Sequence, residues 1–95
     1  MLSDAQNQTK DRLKVACHEF ECALNEKLRD ADIQLGEIRP NSGIWQIMAV
    51  RRGHLTQEQE EWLNHEVKVW EGIKESQLGV EAIMVIGLTD QTPSQ

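Results

Sequence analysis

A chain of 95 residues with 10 basic and 16 acidic side chains carries a formal charge of −6. It is expected to form one domain and is a poor candidate for gripping phosphate backbones. No stretch reaches about 18 apolar residues, and residues 1–12 hold Asp4, Lys10, Asp11 and Arg12, so neither a membrane span nor a signal peptide is expected.

Residues 1–8 are read as a polar lead-in in which Ser3 and Gln6 have capping-box spacing. Leu13, Cys17, Phe20, Leu24 and Leu28 then recur at steps of three and four, which predicts a helix from about residue 4 to 29. Cys17 and Cys22 fall roughly 140° apart around it, at ~3.6 residues per turn. That offset is wrong for a disulfide, so both are read as reduced thiols, which favours a cytoplasmic protein. Next come two β-rich runs, about 33–39 and 44–51, around the turn cluster Pro40–Gly43, a hairpin pattern. Gly36 and Glu37 weaken the first run, which could be short or bulged. In the second, Trp45, Ile47 and Ala49 take one face, and Ile44, Met48 and Val50 the other.

Gly53 breaks the second strand. Thr56 and Gln59 form another capping box, acids crowd the first turn, and Trp62, Leu63, Val67, Val69, Trp70 and Ile73 make an apolar stripe. A second helix is predicted over about 56–77, stopped by Gly79. The longest apolar run, Val80–Leu88, is strand-length and apolar on both faces, so it asks for cover on both. The tail 89–95 is expected to be disordered.

The fold expected is therefore α+β: helix-strand-strand-helix-strand, a three-stranded mixed sheet with two helices packed on one face. Strands two and three should be parallel through a right-handed crossover. The element order resembles that of small type II KH-like domains, although their second helix and GxxG loop have no counterpart here.

Several groups invite a functional reading. His18 and Cys22 have ligand spacing on a helix, but no CxxC or HExxH accompanies them, so no metal or cofactor is expected. Arg51, Arg52 and His54 precede a helix N-terminus, where backbone N–H groups attract anions; pairing with Glu58, Glu60 or Glu61 is the favoured alternative. Trp62 and Trp70 read as core anchors, whereas Trp45 reads as a candidate outward-facing anchor for a partner. Glu19, Glu21, Glu26, Asp30 and Asp32 make the first helix acidic, but Lys14, Lys27 and Arg29 interrupt them. No catalytic arrangement is recognisable.

These observations favour a small non-enzymatic cytoplasmic adaptor or regulator acting through self-association and protein binding. Trp45, Ile83, Met84 and Val85 are the candidate partner-binding residues. A homodimer is expected, joined by sheet faces or third-strand edges, with no nucleic-acid or membrane partner. The alternatives are an acidic inhibitor of nucleic-acid-acting machinery and a small-molecule or anion-binding domain built on Arg51, Arg52 and His54.

Overall fold

Helix α1 (Asp4–Lys27) begins where the sequence places its cap. The Ser3 hydroxyl accepts from the Gln6 N–H at 3.2 Å, and Gln6 Oε1 accepts from the Ser3 N–H at 3.0 Å. Two orphan donors of the first turn are thereby satisfied, and most of the polar lead-in is helical. The computed structural model describes residues 2–88; the expected tail, 89–95, lies outside them. The helix stops at Lys27, slightly before the expected end. Leu28 leaves helical geometry, and both Leu28 and Ala31 drop into the core.

Strands β1 (Ile33–Asn41) and β2 (Ile44–Arg51) pair antiparallel, from Ile33 opposite Arg51 to Asn41 opposite Ile44. The four-residue turn cluster contracts to Ser42–Gly43, with φ of 52° and 84°. Positive φ at both central residues gives the backbone twist that a two-residue hairpin needs. The weak middle of β1 is an irregularity: the register shifts between Leu35 and Ile38.

Gly53 separates β2 from the next helix for a steric reason. A Cβ on Gly53 would lie 1.4 Å from the Asp30 carbonyl oxygen. The backbones meet there, because the Arg52 and Gly53 N–H groups both donate to the Ala31 carbonyl, at 3.1 and 2.8 Å. Helix α2 (Gln57–Leu78) follows, with a capping box between Thr56 and Gln59. It ends on left-handed Gly79, whose N–H donates to the Glu75 carbonyl. Strand β3 (Glu81–Leu88) lies parallel to β2, giving the order β1-β2-β3. The result is the expected α+β fold.

Helix α1 lies on β1 and α2 on β3. Phe20 and Trp70 stack between the two helices, with ring centroids 5.4 Å apart. Leu13, Leu24, Ile33 and Ile47 are the largest fully buried side chains. As the pattern predicted, α2 docks through Leu63, Val67 and Trp70. Val69 and Ile73, assigned to the same stripe, are exposed. At ~100° per residue they sit well round the helix from Val67.

Two glycines separate steric need from propensity. Gly53→Ala is expected to cost on the order of 3 kcal/mol, since two backbone segments must move apart. Gly72 lies inside α2 with nothing within 4 Å of a built Cβ. Gly72→Ala is therefore expected to stabilise by about 0.5–1 kcal/mol. Chemical denaturation of both variants checks the opposite signs.

Candidate functional site

Side chains alternate faces along a strand, and burial shows which face the helices cover. Trp45, Ile47 and Ala49 of β2 and Ala82 and Met84 of β3 are buried beneath the helices. Ile44, Gln46, Met48 and Val50, with Glu81, Ile83, Val85 and Gly87, occupy the opposite, open face. Met48 and Val85 are each 45% exposed, and Ile44, Val50 and Ile83 are half-buried.

Cross-strand register arranges this face in rows. Ile44 lies beside Glu81, Gln46 beside Ile83, Met48 beside Val85, and Val50 beside Gly87. On the other flank Asn41, Arg39 and Gln34 lie beside Ile44, Gln46 and Val50. Glu37, in the irregular segment, reaches Arg39 in a 2.7 Å ion pair. That hydrogen bond holds the Glu37 carboxyl below its ordinary range, so it is charged at neutral pH. The open face is thus mostly apolar along β2 and β3, interrupted by Gln46 and Glu81, and carries a charged rim on β1.

Polar side chains of the helices engage the sheet edges. The Asn25 amide donates to the Ile33 carbonyl and accepts from the Ile33 N–H, both at 2.8 Å. Glu21 accepts from the Leu35 N–H at 3.2 Å. On the β3 edge, Glu71 accepts from the Met84 N–H at 2.8 Å. Edge groups engaged in this way are not free to template another strand.

Of the partner-binding residues predicted from sequence, Ile83 and Val85 lie on the open face. Trp45 and Met84 do not: they are 4% and 7% exposed, turned toward the helices. Trp45 alternates with Gln46 on a strand whose Trp45–Ile47–Ala49 side is the one covered. It is therefore a core residue in the protomer. Met48, Ile44 and Val50 complete the surface, and the β2 alternation was the signal for them.

The Arg51 side chain is 11% exposed and bonds Glu60 of the first turn at 2.7 Å. A small cavity of about 180 Å³ lies between Arg51, Glu60, Leu63, Asn64 and Ile86. Arg52 and His54 are exposed and do not line it. A larger groove, about 520 Å³, opens between the helices over Phe20, Leu24 and Trp62. Its rim mixes Glu26 and Glu66 with Lys27 and Arg29, so it favours neither sign of charge. The acids of α1 are likewise divided, since Glu21 is spent on the β1 edge.

His18 Nε2 and Cys22 Sγ lie 3.8 Å apart on α1. Among the described residues no group of three His, Cys, Asp or Glu side chains converges on a metal position. No helix among them is long and apolar enough to cross a membrane. Comparison of the chain with models of protein families, with curated proteins and with solved structures finds no match.

Two outcomes follow from this geometry. Asn25→Ala removes both hydrogen bonds to Ile33, whose side chain is fully buried, and is expected to cost about 2 kcal/mol by denaturant titration. Burial pushes the Cys17 thiol from 9.0 up to about 11. The folded state then holds this proton through a range where the unfolded chain releases it. Cys17 therefore makes stability fall as pH rises from 9 toward 11. Cys17→Ala should flatten that part of the stability–pH curve, read by thermal unfolding.

Proposed function

We propose that this protein is a small non-enzymatic adaptor or regulator that self-associates and binds protein through the open face of its sheet. The observation that carries this reading is the surface of Ile44, Met48, Val50, Ile83 and Val85, which the described residues leave uncovered because both helices lie on the other side. An apolar face on a monomer is a site for association, and two-fold dimers are the commonest way to cover one. The bonds already made at Ile33 and Leu35 on the β1 edge, and at the Met84 N–H on the β3 edge, favour the face over strand addition. A cytoplasmic setting is proposed from the two free thiols, Cys17 and Cys22. The acidic-inhibitor and anion-binding readings draw less support, because Glu21 and Arg51 are already partnered within the fold.

Molar mass by light scattering at micromolar concentration tests the proposal. The wild type is expected to be dimeric. Val85→Lys and Met48→Lys place a charge at exposed positions and are expected to be monomeric, with thermal unfolding within about 1 kcal/mol of wild type. A monomeric wild type, or variants as dimeric as the wild type, would overturn the reading.

A further inference from the structure

Resting on that reading, we infer that two copies stack sheet face on sheet face with their strands antiparallel, β1 over β1 and β3 over β3, about a two-fold axis running across the strands. The inference comes from the order of residues along the open face. The register gives the rows Asn41–Ile44–Glu81, Arg39–Gln46–Ile83, Met48–Val85 and Gln34–Val50–Gly87, with Glu37 at the β1 end of the third. In the third row, Glu37 stands in the shifted segment and is placed by its bond to Arg39.

A two-fold axis between the second and third rows superposes the face on a reversed copy of itself. Ile83 then meets the partner's Val85, and Ile44 meets the partner's Val50. Met48 covers the partner's Gln46. Arg39 faces the partner's Glu37, and Glu37 the partner's Arg39, so the intramolecular pair becomes a ring of four alternating charges at the rim. Glu81 falls over the partner's Gly87, which offers no side chain to clash with or repel it.

The other two-fold arrangement, with the axis along the strands, lays β1 over the partner's β3. It sets Arg39 and Glu37 against Ile83 and Val85, removing a charged pair from water with nothing gained in return. The antiparallel stack sets the β2 and β3 columns, apolar but for Gln46 and Glu81, on their own counterparts and keeps Arg39 and Glu37 at an accessible margin. Aligned sheet packing tolerates this arrangement, since stacked sheets sit ~10 Å apart with strand directions within about 30°.

The footprint sets the expected affinity. Three strands at ~4.8 Å spacing and eight residues at ~3.3 Å each cover about 14 by 26 Å. That is smaller than the ~800 Å² per partner of a standard interface. The dimer is therefore expected to dissociate on dilution rather than to be obligate.

Charge exchange at the rim tests the geometry. Arg39→Glu leaves only acids at positions 37 and 39, and Glu37→Arg leaves only bases. Each variant alone is expected to dimerise roughly tenfold more weakly than wild type, because the two-fold axis repeats every repulsion. Mixed in equal amounts, they should pair with each other. Native mass spectrometry separates the three dimers by mass, and heterodimer should exceed the statistical half. All positions changed are exposed, so circular dichroism should report an unchanged fold. A dimeric wild type whose mixed variants form only the statistical share of heterodimer would overturn this stacking while leaving the proposed function standing. A monomeric wild type would overturn both.

Discussion

Two helices can cover one side of a three-stranded sheet, and the described residues form two. That constraint organises the rest of the molecule. The central strand β2 is apolar on both faces, with Trp45, Ile47 and Ala49 on one and Ile44, Met48 and Val50 on the other. Covering the tryptophan side removes the larger apolar area from water, and among the described residues the other side is left without a covering element. The Phe20–Trp70 stack joins the two helices above the covered side.

The polar chemistry of the fold serves the same arrangement. Asn25, Glu21 and Glu71 reach from the helices to the outer strands and satisfy backbone groups that a sheet edge would otherwise present. Arg51 and Glu60 tie the end of β2 to the first turn of α2. The contact of Ala31 with Arg52 and Gly53 locks the α1–β1 connection against the β2–α2 connection. Glu21 and Arg51, which the sequence offers as candidate-site residues, are thus spent on holding the layers together.

The elements themselves were legible in the chain because their determinants are local. Ser3–Gln6 and Thr56–Gln59 announce helix starts through side chains that bond their own backbone, and Gly79 ends α2 through a conformation few other residues tolerate. Hairpin pairing, the parallel crossover and the edge position of β3 followed from element order and length. The doubly apolar pattern of β2 and β3 also announced that one face would be left without cover.

Which face, the sequence by itself did not determine. Alternation splits β2 and β3 into two sets without saying which set the helices take, and both sets are apolar. Only packing decided that Trp45 and Met84 go inside and that Met48, Ile83 and Val85 stay out, because the choice depends on the summed area of residues distant along the chain. The roles of Glu21, Asn25, Arg51 and Glu71 were settled the same way. Each bonds a group 8 to 14 residues away in sequence, and no local pattern encodes a partner that only folding brings within reach.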